Sequence, residues 1–382
     1  MISPFIINDK NVFIDRFPAG QVNRSLQAWD AADEYLINYV EENKLIKPKS
    51  NLLIINDAFG SLTINFTQQQ VYCVNDSYLS QQGIAYNLEQ NHIDDKNIHY
   101  LTSLDALPNN IDIVLFKIPK SKSLLVAQLM MLRRSYTSDV VFIAADRAKE
   151  IHSSTLKLFE KYLGATKTSL AVKKARLVFS QFDARFDDKE QNSPLITTWP
   201  LENTDFTINN HANVYAKDKL DIGARYFMKN LPDVAPDTQV IDLGCGNGVI
   251  GLSILASQPQ AQVQFFDESY MAIASAKLNI EQNLPSVIDH CQFHLNDCLS
   301  GVEGASVDLI LCNPPFHQQT ATTDHIAWQM FKDSHRVLKK GGELRIIGNR
   351  QLGYHIKLQR IFGNEKLIAS NDKFVTISAI KR

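Results

Sequence analysis

Gln239-Val-Ile-Asp242-Leu-Gly244-Cys245-Gly246-Asn247-Gly248-Val-Ile-Gly251-Leu252 reads as a strand, a glycine loop and the opening of a helix. Glycine lets the backbone come close to a ligand, and the N–H groups at the start of the next helix favour a carboxylate. The spacing is Gly-x-Gly-x-Gly, which differs from the dinucleotide pattern Gly-x-Gly-x-x-Gly. Asp242 stands just ahead of the first glycine, where its charge repels a pyrophosphate but accepts from an ammonium. A ligand with ammonium, carboxylate, ribose and adenine therefore fits better than a nicotinamide dinucleotide. S-adenosylmethionine is that ligand.

Three further strand ends extend the pattern. Val263-Gln-Phe-Phe-Asp267 closes on an acid placed for a ribose diol, with Glu268 next to it. Cys291-Gln-Phe-His-Leu295 closes at Asn296-Asp297, where a carboxylate accepts from the adenine amino group. Asp308-Leu-Ile-Leu-Cys312 is an apolar run of strand length that stops at Asn313-Pro314-Pro315-Phe316-His317. Two prolines remove two N–H donors and stiffen the exit from the sheet. Ligands of open α/β sheets bind at that carboxyl edge. The turn offers the Asn313 side-chain oxygen and the Pro314 carbonyl as acceptors and Phe316 as an apolar face, a set suited to a planar substrate with an NH₂ group. His317 is expected to position that substrate.

The order Asp-x-Gly-x-Gly-x-Gly, Asp-Glu-Ser, Asn-Asp and Asn-Pro-Pro-Phe resembles the class I methyltransferases that modify exocyclic amines. With Asn210-His-Ala-Asn-Val-Tyr215, Leu220-Asp-Ile-Gly-Ala-Arg225 and Pro315-Phe-His-Gln-Gln319, it closely resembles the bacterial ribosomal RNA guanine-N2 methyltransferases. The large-subunit RlmG type is the nearer match and the small-subunit RsmC type a relative. Leu26-Gln-Ala-Trp-Asp-Ala-Ala-Asp-Glu-Tyr35 and Ile55-Asn-Asp-Ala-Phe-Gly60 also look like the RlmG type, so the resemblance spans essentially the full chain.

This resemblance implies an S-adenosylmethionine site built from Asp242, Gly244, Cys245, Gly246, Asn247, Gly248, Asp267, Glu268, Asn296, Asp297 and Asn313. Catalysis is expected of Asn313, Pro314 and Phe316, without metal, on a guanine of 23S rRNA. Asn213 to Tyr215 are expected to close over the methionine end of the cofactor, His211 to make structural hydrogen bonds, and Cys245 to fill the loop. A reversed final strand is also implied. Methylation of a 16S guanine, of adenine N6 or of a protein glutamine amide are the rival chemistries, the last usually with Tyr in place of Phe316. A non-enzymatic RNA-binding role is the rival from another class.

An internal repeat sets the domain plan. Ser77-Tyr78 and Asn87-Leu-Glu-Gln-Asn91 recur at an offset of 192 as Ser269-Tyr270 and Asn279-Ile-Glu-Gln-Asn283. Asp112-Ile-Val-Leu-Phe-Lys117-Ile-Pro119 shadows Asp308 to Pro315. The expected architecture is α/β: two tandem Rossmann-like methyltransferase domains arisen by duplication, 1–185 and 200–382, joined through the polar segment 183–194. The first is degenerate. It has one loop glycine, Gly60, and Lys117 and Lys120 stand where Asn313 and Phe316 stand in the second. An ammonium cannot accept from an amine. Lys117, Lys120, Lys122, Lys173, Lys174 and Arg176 are instead expected to meet rRNA phosphates.

Composition bounds the rest. The 382 residues suffice for two cores, and a net charge of −2 supplies no global field for RNA, so contacts must be local. Five cysteines without metal spacing suit a reducing cytosol. No apolar run approaches a membrane span. Nothing in the sequence demands an oligomer.

Overall fold

The computed structural model describes residues 5–7, 10–19, 27–137, 139–183, 195–315 and 321–382. The chain divides into two compact units, Met1–Leu195 and Ile196–Arg382. Each carries its own mixed sheet of seven strands.

In the second unit the strands lie in the order Cys291–Leu295, Gln262–Asp267, Gln239–Leu243, Val307–Cys312, Leu338–Asn349, Phe374–Ile380 and Lys366–Ser370. The first five are parallel, and Phe374–Ile380 runs antiparallel to its neighbour, as the resemblance implied. Apolar side chains leave each strand to both faces. Val240, Val263, Phe265, Leu309 and Leu311 join one core layer, while Ile241, Leu243, Phe266, Ile310 and Cys312 join the other. That two-sided burial explains why these strands read as unbroken apolar runs rather than alternating ones.

The first unit repeats the same order: Ile98–Thr102, Gln70–Asn75, Asn51–Ile55, Ile113–Lys117, Val141–Arg147, Ala175–Ser180 and Thr166–Thr168. Its sixth strand in that order is likewise reversed. In both sheets the first long strand lies between the second and the fourth, which makes a crevice at its carboxyl end.

The repeated asparagines explain their own recurrence. Asn279 accepts from the Asn209 N–H at 2.7 Å and donates to the Asn209 carbonyl at 2.9 Å, and Asn283 does the same to Thr207 at 2.8 and 2.9 Å. Asn279 also donates to the Asn247 carbonyl in the glycine loop at 2.9 Å. In the first unit Asn87 brackets Asp15 and donates to Phe59, and Asn91 brackets Phe13. A primary amide presents one acceptor and a donor side by side, as a strand edge does. Each helix thus ties down the segment that precedes its sheet.

The polar stretch ahead of the second sheet also forms strands: Thr207–His211 pairs antiparallel with Ile196–Pro200 in a separate hairpin that ends at His211, with Asn209 and Asn210 buried. The edge strand Lys366–Ser370 went unread because it is mostly exposed and has no apolar alternation.

Candidate functional site

The four expected strand ends meet along one edge of the second sheet. Leu243 is in register with both Phe266 and Cys312, and Asp267 with Leu295. Gly244, Gly246 and Gly248 all adopt positive φ, from 54° to 76°. A Cβ on Gly248 would lie 2.8 Å from that of Ala276, whereas one on Gly246 would meet nothing within 4 Å. The loop is therefore pressed onto the neighbouring helix Tyr270–Asn283 at one glycine and open at another.

Acids bind this loop together. Asp267 accepts from the Gly246 N–H at 2.9 Å and from the Ser269 N–H at 3.0 Å. Asp242 is 3 % exposed and accepts from the Gly251 N–H at 2.9 Å. Burial pushes its carboxyl up to about 7; the Gly251 bond works the other way, and the charge on Asp267 adds to the rise. Asp242 thus joins the strand end to the helix Val249–Ser257, a structural duty not expected from the sequence. Cys245 is buried, and burial raises its thiol well above the usual range, which suits a filler and not a nucleophile. Asn247 donates to Asn210 at 2.9 Å and accepts from the Val249 N–H at 3.2 Å.

At the third strand end Asn296 donates to the Ser300 carbonyl at 2.8 Å, and Asp297 accepts from Gln329 at 3.0 Å. His211 contacts the Ser275 hydroxyl through both its N–H and Nδ1, at 3.0 and 2.8 Å. Ser275 donates onward to the Met271 carbonyl at 2.7 Å. The imidazole therefore serves the hairpin, as expected. The Asn213 N–H points at the Met271 sulfur at 3.3 Å, and the Tyr215 hydroxyl meets Asp221 at 3.2 Å.

Asn313 follows the central strand. Its side-chain oxygen Oδ1 is buried and has no hydrogen-bond partner among the described residues, while Pro314 is buried and Pro315 exposed. An orphaned buried acceptor costs about 1–3 kcal/mol, so native proteins keep few of them. Phe316, expected to stack on the substrate, lies outside the described residues, as do His317 and Gln319. Glu268 itself is partly exposed.

The first unit fills the matching positions differently. Register places Ile54 where the second unit has Asp242, Asn56 where it has Gly244, and Lys117 where it has Asn313. Asp57 is buried and accepts from the N–H groups of Gly60, Leu62 and Thr63 at 2.9–3.1 Å. The protein's own carboxylate thus takes the donors of that loop. Lys117 is the main correction to the expected RNA-binding set. Its ammonium donates to Asp30 at 2.9 Å and Asp33 at 2.7 Å, with 15 % of its side chain exposed. Burial works to discharge Lys117, but Asp33 and Asp30 outweigh it and hold the ammonium above its ordinary range. Burial drives Asp33 up to about 6 against the pull of Lys117. Of the other cations, Lys173 pairs with Glu34 at 2.8 Å and Arg176 is half-buried; Lys120, Lys122 and Lys174 are exposed.

Gly251→Ala tests the close packing at this edge. A Cβ there would come within 2.3 Å of the buried Phe265 ring, which stacks on Phe293 at 5.0 Å. The variant is expected to lose about 1–3 kcal/mol in urea unfolding. An unchanged midpoint would show that the ring moves aside freely.

No cluster of three metal-ligating side chains occurs among the described residues, and no described helix is long and apolar enough to cross a membrane. Two family profiles match: an RLMG N-terminal domain over residues 3–184 and a methyltransferase small domain over 205–378. A solved structure, the T. thermophilus 16S rRNA N2 G1207 methyltransferase (RsmC) with AdoMet and guanosine, shares the fold at a TM-score of 0.78 and 18 % identity, covering 100 % of this chain and 98 % of that one. The ribosomal RNA large subunit methyltransferase G of Pseudoalteromonas translucida is 53 % identical, over 98 % of this chain and 97 % of its own. The protein of that name from Colwellia psychrerythraea is 66 % identical with both chains covered in full. The chain belongs to the ribosomal RNA large subunit methyltransferase G family.

Proposed function

We propose that the second unit methylates the exocyclic N2 amine of a guanine in 23S rRNA, in the cytosol, with S-adenosylmethionine as donor. One observation carries the reading: the buried Asn313 oxygen, without a partner among the described residues, at the carboxyl end of the strand beside the glycine loop. The donor set suits that cofactor. Gly246 opens onto free space, Asp267 crosses the loop where a ribose would lie, and Asp297 keeps carboxylate capacity for an adenine amine. Gly244, Cys245, Asn247, Gly248, Glu268 and Asn296 complete the proposed cradle, and Asn313 borders it on the substrate side. When bound, S-adenosylmethionine supplies a methyl carbon activated by a sulfonium.

The guanine lone pair is delocalised into its ring and must be drawn back onto N2. Asn313 Oδ1 and the Pro314 carbonyl hold the two amine hydrogens while the nitrogen becomes tetrahedral and positive. The surplus proton then leaves to water. Phe316 stacks on the base, which has to be unpaired or flipped from its helix.

In the first unit, Asp57 and the Lys117–Asp33 pair occupy the corresponding corner with the protein's own charges. This supports a non-catalytic role there, with the exposed Lys120, Lys122 and Lys174 meeting rRNA phosphates.

Asp242 makes cofactor affinity depend on pH. A carboxyl raised to about 7 holds its proton in the free protein below that pH, and a cationic ligand favours the ionised form. Affinity is expected to rise from pH 6 to 8, by up to about tenfold per unit below 7, and to flatten in Asp242→Asn. Stability moves the other way: the raised group favours the fold below its unfolded value, and this contribution is lost as pH climbs through 7. Calorimetric titration of S-adenosylhomocysteine across that range checks the sign, and a flat wild-type profile removes Asp242 from the ligand's surroundings.

Labelled S-adenosylmethionine incubated with 23S rRNA, 16S rRNA or a peptide-chain release factor, followed by digestion, tests the whole reading. The expected product is N2-methylguanosine from 23S rRNA alone. Label in N6-methyladenosine or methylglutamine would overturn it.

A further inference from the structure

The second unit has an open cleft of about 390 Å³ outside the glycine-loop site, lined by the helix Ile222–Met228 with Lys229 and by the turn Asn371–Lys373 leading to Phe374. Three cations, Arg225, Lys229 and Lys373, face one acid, Asp372. Such a concentration stands out in a chain of net charge −2. The floor is apolar: Tyr226 stacks on the buried Phe374 ring at 6.3 Å, and Ile222 is 52 % exposed.

Two of the cations carry weak contacts within the fold: Lys373 lies over the Phe374 ring at 5.2 Å, and Arg225 pairs with an exposed acid. Arg225 has a buried Nε without a partner among the described residues, and its Nη2 donates at 2.7 Å to Glu202, which is itself 53 % exposed. Exposed ion pairs of this kind are worth little and exchange readily for a better anion. The turn is preorganised. Asn371 Oδ1 accepts from the N–H groups of Lys373 at 2.9 Å and Phe374 at 2.7 Å, and Arg350 donates to the Asn371 carbonyl at 3.2 Å.

The cleft also lies at the correct edge. Cys312 is in register with Ile346, and three residues further along that strand Asn349 pairs with Phe374. Lys373 therefore sits beyond the carboxyl ends of the strands, about 10 Å to the side of the catalytic strand and roughly 10 Å outward.

We propose that this cleft seats the sugar–phosphate chain of rRNA next to the target guanine, with phosphodiester oxygens on Arg225, Lys229 and Lys373 and sugar edges over Ile222 and Tyr226. The proposal rests on rRNA being the substrate. It explains how a protein without a global basic field holds a polyanion: the charge is placed beside the reacting base.

Full-length Lys229→Glu/Lys373→Glu, assayed on an unmodified 23S rRNA transcript, tests it. Losing two phosphate contacts is expected to raise KM for the transcript about tenfold near physiological salt and to flatten the log–log salt slope by about 1.4–1.8. Turnover at saturating RNA and affinity for S-adenosylhomocysteine stay within twofold. Lys340→Glu/Lys366→Glu, exposed lysines outside the cleft, is the charge-matched control. Unchanged KM and slope in the cleft variant, or an equal loss in the control, overturns the proposal. If the double Glu variant fails to fold, Lys229→Gln/Lys373→Gln gives the same readout at smaller amplitude. Wild-type protein that methylates neither the transcript nor an unmodified 50S particle fails the functional reading itself, a result separate from failure of the cleft.

Discussion

Asn313→Ala is expected to cut turnover by about 10²–10³ while leaving cofactor affinity within threefold. The figure follows from removing one preorganised acceptor aimed at charge that develops only as the reaction proceeds, a loss of about 2.7–4 kcal/mol. The side-chain oxygen makes no bond that holds the fold, so its removal leaves no stranded donor among the described residues. Thermal stability should therefore hold or rise slightly as an unpaired buried acceptor disappears. Single-turnover methylation with saturating rRNA, beside calorimetry with S-adenosylhomocysteine, separates the two quantities. A variant at near wild-type rate would remove Asn313 from catalysis. A variant that loses cofactor affinity as steeply as turnover would make it a binding residue alone.

Lys117→Met is expected to destabilise the first unit by about 3–5 kcal/mol. The substitution keeps volume but leaves Asp33, 5 % exposed, as a buried carboxylate without its counter-charge. Asp30 and Asp33 also form the capping box of the helix Ala31–Glu42, so their protonation weakens a helix start as well. Urea unfolding followed by circular dichroism measures the loss. Adding Asp33→Leu should recover much of it, because an apolar replacement of the whole pair is far less costly than breaking it. If Lys117→Met unfolds like wild type and instead weakens rRNA binding, the lysine belongs to the surface after all.

Strand ends were the most readable part of the sequence because each combines two local signals. An apolar run buried on both faces stops at a residue with lone pairs, as at Asp242, Asp267 and Asn313. The repeated asparagines were visible as a pattern before their purpose was, since bracketing a segment 70 or more residues away leaves no local mark. Lys117 misled for the same reason. Its partners lie 84 and 87 residues earlier, and a lysine at a strand end looks solvated until the helix Ala31–Glu42 and its cap are laid across it. The duty of Asp242 to the Gly251 N–H was likewise tertiary. The cleft at Arg225, Lys229 and Lys373 joins cations about 145 residues apart in sequence, and neither segment is basic enough alone to draw notice.

The amide brackets at Asn87, Asn91, Asn279 and Asn283 restrict how these four codons can drift. Aspartate matches the shape but turns a donor into a second acceptor facing a carbonyl. Leucine matches the volume and abandons both groups, and glutamine carries the same head one methylene too far out. Such positions are closed to gradual exchange, which is why two halves that have parted ways almost everywhere else still spell the same letters there.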